Sequence, residues 1–452
     1  MEVMHECCAG LDISKKDAKV CIRVARPGKK PIETITTWSA MTRDIVALRE
    51  HLLAAQVTCV SMEATSSYWK PFYYLLEDSG FELVLANAAD VKNMPGRKTD
   101  VSDATWLAQL TAHGLVRPAF VPPPPIRQLR DLTRTRTAIT RERTREVQRL
   151  EKLLEDAGIK LSVVVSDITG VSSRAILRSM VAGERDPKVL ADLSVRQLRR
   201  KIPSLIPALE GRFSDHHAFL VEFHLDLIAT LDERIALITE RIEEAMAPFR
   251  AVRELLIEIP GISTGTADVI IAETGGDMSV FPSADHLASW AGVAPGHHES
   301  AGRRKSGKTR HGNRYLKGAL GAAVLSIARH PGTALHAKYK RLASSTNPQK
   351  AIVALERTLL TIIWTMLTNN VAYIEHGPDY YQRRNPERTM RNAVRALESL
   401  GLDVTITPRR GRLTANTTQK ATFPFPQLSG IGHLTLRVSD PPAACGGDRG
   451  GG

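Results

Sequence analysis

Gly10-Leu11-Asp12-Ile13-Ser14 is the stretch on which the fold reading turns. It closes a short apolar run, residues 7–14, that has the length of a buried strand and carries one carboxylate near its end. A second run, 19–25, reads as a strand able to form a hairpin with the first. Outward from there, 39–55 has helical spacing through Ile45, Leu48 and Leu52. A strand is expected over 57–64, a helix over 68–78, a strand over 81–88 and a helix over 102–113, with Ala104, Leu107 and Leu110 on one face. Strands alternating with helices make residues 1–121 an α/β domain.

The chain has 452 residues, long enough for two or three domains. Lys and Arg number 61 against 48 Asp and Glu, a net charge of +13 that favours an anionic partner, nucleic acid or a membrane surface. The N-terminus lacks the basic-then-apolar plan of a signal peptide. The uncharged stretch 358–374 carries Asn369, Asn370 and several Thr, so it reads as a buried core helix and no membrane partner is expected. Cys7, Cys8, Cys21, Cys59 and Cys445 show no CxxC and no zinc spacing, and read as buried reduced thiols of a cytoplasmic protein.

Four prolines, 122–125, mark the expected domain boundary. A charged helix of about 48 Å follows over 126–157 at 1.5 Å per residue. Its first part is rich in arginine, including Arg127, Arg130, Arg134 and Arg141. A second long helix over 215–246 repeats Ile228, Leu231, Ile235, Ile238 and Ile242 at alternating spacings of 3 and 4, the seam of a coiled coil or helical hairpin. Residues 126–249 therefore read as a helical coiled-coil linker, 250–380 as a mostly helical domain, and 381–452 as a C-terminal extension, partly disordered.

Asp12 sits on the first strand, Glu63 at the end of a later strand, and Asp100 and Asp103 at a helix start, spaced to share a helical face. Clustered carboxylates repel unless a cation lies between them. Hard oxygen ligands suit Mg²⁺ or Mn²⁺, and two such ions can stabilise both oxygens of a phosphodiester displacement. The order of these acids is that of the ribonuclease H-like fold, in its RuvC-like branch. Actin-like ATPases and sugar kinases also open with an Asp on a first strand. They need glycine-rich phosphate loops, and the best later candidates here, Gly275-Gly276-Asp277 and Gly292-Val293-Ala294, lie among helical patterns.

Residues 255–275 read as helix, Pro260-Gly261-Ile262, helix, a helix-hairpin-helix-like element able to hold a phosphate at a helix start. Beyond it, residues 296–317 carry seven Lys/Arg and one Glu. There Ser300 stands in a small-residue loop, Glu299-Ser300-Ala301-Gly302, before Arg303, Arg304 and Lys305, with Lys308, Arg310 and Arg314 further on. Arginines hold phosphate oxygens bidentately, so Ser300 reads as a nucleophile on a phosphodiester or as part of a loop contacting the DNA backbone. Ser306 is a weaker nucleophile, and His297, His298 and His311 read as solvated or phosphate-contacting rather than metal-binding.

GLDISKK, the MEAT strand end, KTDVSDA, IPGI, LASWAGVAP and ESAGRRKSGKTRHGN, in that order, resemble the DEDD-type insertion-sequence transposases, the one-ten family of insertion sequences. The resemblance spans about residues 5–375; where many relatives show two serines and two glycines, this chain has Glu299-Ser300-Ala301-Gly302. It implies a RuvC-like domain, a coiled-coil linker and a transposase domain. It implies Asp12, Glu63, Asp100 and Asp103 as Mg²⁺ ligands and Ser300 as the nucleophile of a covalent 5′-phosphoserine. It also implies donor and target DNA as substrates, a structured guide (bridge) RNA as partner, dimers assembling to tetramers, and a prokaryotic, nucleoid-associated location. Two other readings stay open: a RuvC-like Mg²⁺-dependent endonuclease or junction resolvase, and a non-catalytic nucleic-acid-binding protein.

Overall fold

β1 (Cys7–Ile13) is the central strand of a five-stranded mixed sheet, and both of its faces are covered. β2 (Asp17–Val24) pairs with it antiparallel, and β3 (Ile32–Ser39) extends that edge. β4 (Cys59–Glu63) and β5 (Glu82–Ala86) continue the other side in parallel, in the order β3-β2-β1-β4-β5. The structure is a computed structural model and describes residues 2–408 and 434–438, apart from 65, 88–90, 92–93, 95–101, 297 and 301. The chain divides into two units, Met1–Leu132 and Thr133–Gly452.

Alternation along the strands explains the layers of the first unit. Ala9, Leu11 and Ile13 join Val60 and Met62 on one face, under α1 (Thr42–Ala54) and α2 (Trp69–Leu76). Ile45, Leu48 and Leu52 of α1 and Phe72 and Leu76 of α2 fill that layer. The other face takes α3 (Asp103–Ala112), with Cys8 bonded to the Ala108 carbonyl and Ser61 to Thr111. Gly10 lies directly beneath α3. A Cβ there would stand 2.4 Å from both the Ala104 carbonyl oxygen and the Ala108 nitrogen. β3 is absent from the sequence reading; the residues 26–31 before it form a turn, and the strand itself is an edge that leaves Ile32 and Ile35 half exposed.

α4 (Pro124–Asp156) takes two of the four prolines into its first turn, where no intrahelical N–H is needed. The unit boundary falls inside this helix rather than at the prolines. Its first turns are tied to the first unit, because Arg127 pairs with Glu77 and lies over the Tyr74 ring at 4.3 Å.

In the second unit, α5 (Leu161–Val164), α6 (Val171–Val181), α7 (Pro187–Asp192) and α8 (Ile202–Ala208) pack with α9 (Asp215–Ala245). Leu150, Leu154, Ile176, Leu205, Val221 and Ile228 give this stretch a core of its own. Arg143 of α4 and Arg174 of α6 both pair with Asp232 of α9. Burial pushes the Asp232 carboxyl up, but the two arginines carry it below the ordinary carboxylate range. Along the α9 seam, Ile228 and Ile242 are buried, while Leu231, Ile235 and Ile238 are half-buried.

α10 (Arg250–Ile257) and α11 (Thr264–Thr274) flank the Pro260-Gly261 turn. α12 (Ala284–Ala291), α13 (Arg314–Arg329), α14 (Ala334–Ser345) and α15 (Pro348–Asn369) pack with them. α15 is long and apolar enough to cross a membrane by length and composition. It buries Leu355, Leu359, Leu360 and Ile363 among its neighbours, which suits a core helix, and it ends at Asn370 in the left-handed conformation, short of residue 374. α16 (Tyr380–Arg384) and α17 (Pro386–Glu398) follow, then β8 (Val404–Pro408) paired antiparallel with β9 (Leu434–Val438). The extension after residue 380 thus carries helices and a paired strand among its described residues; Cys445 lies outside them.

Gly10→Val is expected to destabilise the first unit by about 1–3 kcal/mol, since the obstructing atoms are backbone and cannot turn aside. Chemical denaturation of the variant against the parent protein measures this, and equal midpoints would refute the close approach.

Candidate functional site

The alternation that layers the sheet also selects which acids meet. Asp12 follows Gly10 by two on β1, and Glu63 follows Ser61 by two on β4, so both project on the α3 side. Because β1 and β4 run parallel, both acids lie toward the carboxyl end of the sheet, where open α/β sheets bind ligands. Asp103 is the first residue of α3, whose cap Ser102 accepts a hydrogen bond from the Thr105 N–H at 3.3 Å. Asp12, Glu63 and Asp103 line one narrow cleft together with Leu11, Val91, Trp106 and Leu107. Asp12 and Glu63 are half-buried and Asp103 is exposed. Asp100 lies outside the described residues.

This donor set fits a hard divalent cation. Three carboxylates lining one cleft supply oxygen ligands, the donor type that a hard divalent cation takes. Trp106, on the cleft wall, buries its indole N–H with no acceptor among the described residues. A water held by an ion in the cleft is the type of acceptor that could satisfy such a group.

Ser300 lies not in an open loop but on a β-hairpin. β6 (His298–Ser300) pairs antiparallel with β7 (Arg303–Ser306), and Ser300 is opposite Arg303. The base of this hairpin is held by backbone contact. A Cβ on Gly312 would stand 2.3 Å from the Gly292 nitrogen, so the two ends of the segment meet as only glycines permit. The Gly296 N–H donates to the Lys308 carbonyl at 3.2 Å, and Lys317 Nζ donates to the Gly292 carbonyl at 3.2 Å. Arg303, Lys308, Arg310 and Arg314 are exposed around the hairpin; Arg304 and Lys305 sit on β7. His297 lies outside the described residues, and His311 is exposed.

The arginines of α4 divide into two groups. Arg127 is committed to Glu77, and Arg134 makes a bidentate pair with Glu273 at 2.8 Å for each bond. Arg130 lies over Phe120 at 5.7 Å. Arg141 and Arg145 are exposed. The expected basic stripe is therefore partly consumed in internal ion pairs.

Residues 9–159 match the family model named DEDD_Tnp_IS110, described as a transposase. Residues 253–340 match the model of the transposase IS116/IS110/IS902 family. The two together cover more than half of the chain. The chain belongs to the IS110 family of transposases. The 42 kDa protein of insertion element IS900 from Mycobacterium paratuberculosis is 28% identical over 61% of this chain and 73% of its own length. The pilin gene-inverting protein of Moraxella bovis is 37% identical over 26% of this chain and 37% of that protein. The 43.6 kDa protein of insertion element IS110 from Streptomyces coelicolor is 32% identical over 34% of this chain and 37% of its own. Family membership makes this chain a DNA-processing enzyme.

The first IS110 match contains all the acids of the cleft, and the second contains the Pro260-Gly261 turn and the serine hairpin. The second also contains two residues that the sequence reading passes over. Glu273 on α11 is fully buried. Besides Arg134, its carboxylate accepts from Asn313 Nδ2 at 2.6 Å. Asn313 Oδ1 in turn accepts the Tyr315 and Leu316 N–H groups at 3.0 and 3.1 Å, capping α13 where the hairpin ends. One buried carboxylate thus fastens α4 to the base of the serine hairpin. A lone charged residue in the apolar run VIIAETG was the only trace of it in the sequence.

Removing this carboxylate takes away the acceptor shared by Arg134 and Asn313. Glu273→Ala is expected to cost about 1–3 kcal/mol, and replacing Arg134 and Glu273 together by Met and Leu to recover part of it. Thermal denaturation of the two variants decides the point; a single variant as stable as the parent would show that the pair anchors nothing.

Proposed function

We propose that this IS110-family transposase is a site-specific recombinase that moves its own element by serine chemistry on DNA. The observation that carries the reading is the convergence of Asp12, Glu63 and Asp103 in one cleft at the carboxyl end of β1 and β4. A mixed sheet with an antiparallel β1–β3 side and a parallel β4–β5 side supports a ribonuclease H-like, RuvC-like first unit. Asp12, Glu63 and Asp103, with Asp100 by resemblance, would hold Mg²⁺ or Mn²⁺, whose chemistry there is neutralising and orienting a phosphate.

Ser300 Oγ attacks the scissile phosphorus and gives up its proton. The bond from phosphorus to the 3′ oxygen breaks, and the departing 3′ oxygen takes a proton to become a hydroxyl. The 5′ phosphate remains esterified to Ser300. Arg303, exposed on the hairpin, brings positive charge that favours the pentacoordinate state, and Arg304 and Lys305 follow it on the same strand. Attack by a new 3′ hydroxyl reverses the step, rejoins DNA and frees Ser300. The phosphoserine ester conserves the bond, so no external energy source is required. By the same resemblance, a structured bridge RNA pairs with donor and target DNA and chooses the sites. The enzyme then works as dimers and tetramers on nucleoid DNA, with the acids of one subunit meeting the serine of another.

Ser300→Ala and Asp12→Ala are each expected to abolish recombination on a plasmid carrying the element ends, with nucleic-acid binding largely kept. A denaturation-resistant protein–DNA adduct should form with the parent protein and be missing with Ser300→Ala. Cleavage that persists in Ser300→Ala without any adduct would replace this reading by a RuvC-like hydrolytic endonuclease. Absence of strand transfer in the parent protein with Mg²⁺, Mn²⁺ and the element's RNA would leave a non-catalytic binder. Mixing Asp12→Ala with Ser300→Ala should restore recombination, as an active centre shared between subunits requires.

A further inference from the structure

The α3 side of the sheet carries a second group of ligating side chains, at the end away from the acidic cleft. His5 precedes β1, Cys59 opens β4 and Glu82 opens β5. A ligand atom from each lies within 4.8 Å of the other two. We propose that these three side chains bind a borderline-soft divalent cation of the Zn²⁺ class. This inference does not depend on the recombination chemistry above.

The backbone around the group is set before any ion arrives. Cys59 and Glu82 are direct register partners on β4 and β5. The Thr58 N–H donates to the Cys7 carbonyl, and the Glu82 N–H to the Thr58 carbonyl, both at 2.9 Å. The His5 N–H donates to the Ala112 carbonyl at the end of α3, at 3.2 Å. Three strand starts and one helix end therefore present imidazole nitrogen, sulfur and carboxylate oxygen to one point. Cys8 lies beside Cys59 in register, but its thiol is bonded to the Ala108 carbonyl at 3.3 Å. The protein thus offers three ligands, and the exposed Glu82 side leaves a fourth position open to water.

The donor types choose the ion. Nitrogen, sulfur and oxygen together suit Zn²⁺ with bonds of about 2.0–2.3 Å, whereas Mg²⁺ and Mn²⁺ prefer the all-oxygen cleft at the other end. Thiolate and carboxylate together cancel the charge of a dication, which a site with a buried sulfur requires. Burial, helped by the Glu82 and Cys8 charges, pushes the Cys59 thiol up to about 12, so the ion enters by displacing a proton. The Cys59 S–H bond breaks, a sulfur–metal bond forms, the proton leaves to solvent and no electrons are transferred.

Co²⁺ added to the purified full-length protein tests this. One equivalent should produce a thiolate-to-cobalt charge-transfer band in the near ultraviolet. Zn²⁺ should displace it and excess Mg²⁺ should not. Asp12→Ala should keep the band, because the acidic cleft has no sulfur. Cys59→Ser should lose it. Glu82→Gln, at an exposed position that folding tolerates, should weaken Co²⁺ binding by at least the roughly 10–100-fold that loss of a supporting partner costs. No band at stoichiometric Co²⁺, a band that survives in Cys59→Ser, or undiminished binding in Glu82→Gln would each overturn the proposal.

Discussion

The first unit is organised by the contact between α3 and β1 at Gly10. A helix backbone rests there on a strand with no side chain between them. The approach is possible because Ala104 and Ala108 face the strand and Gly10 has no Cβ. It brings the first residue of α3 down to the carboxyl end of the sheet. Asp103 then lines the same cleft as Asp12, two residues beyond Gly10 on the same face, and Glu63 on the neighbouring parallel strand. A larger residue at position 10 would push the helix outward and separate a carboxylate from its companions. The glycine before the aspartate is therefore part of how the cleft is built.

The second unit uses a buried charge for a comparable purpose. Glu273 is inaccessible to solvent and is satisfied by Arg134 and Asn313. A carboxylate so placed is costly unless every lone pair is used, so the segments that supply its partners must stay where they are. Those segments are α4 and the end of the serine hairpin. The net charge of +13 is accordingly not one uniform attraction for nucleic acid. Arg127, Arg134, Arg136 and Arg143 are committed to internal ion pairs, whereas Arg141 and Arg145 are exposed.

What was legible in the sequence follows from burial. β1, β2, β4 and β5 announce themselves as apolar runs because they lie inside the sheet or against a covering helix. β3 does not, because an edge strand exposing Ile32 and Ile35 has no core-facing alternation to read. The acids at 12, 63 and 103 stand out because each lies at or next to the end of a recognisable element. The hairpin of Ser300 has the sequence of a loop because its residues are small and basic, and its strands arise from pairing with each other rather than from strand propensity. Glu273 was missed because one carboxylate in an apolar run does not name its partners, which lie on α4 and at the cap of α13.

The two ends of the α3 face show how one sheet can keep two chemistries apart. Alternation puts residues 59, 61 and 63 of β4 on the same side, yet the strand's length separates the first from the last. At the last position the cleft holds half-buried Asp12 and Glu63 and exposed Asp103, a setting in which a hard ion keeps some of its water. At the first position a buried thiol stands beside an imidazole and a single carboxylate. Sequence spacing cannot reveal that second group, since its members come from three separate segments and show none of the short intervals that mark a zinc motif. Parallel pairing of β1, β4 and β5 brings strand starts together as surely as it brings strand ends together. A fold that assembles an acidic cleft at one edge therefore assembles a second constellation at the other, and the residue types there determine which ion each can hold.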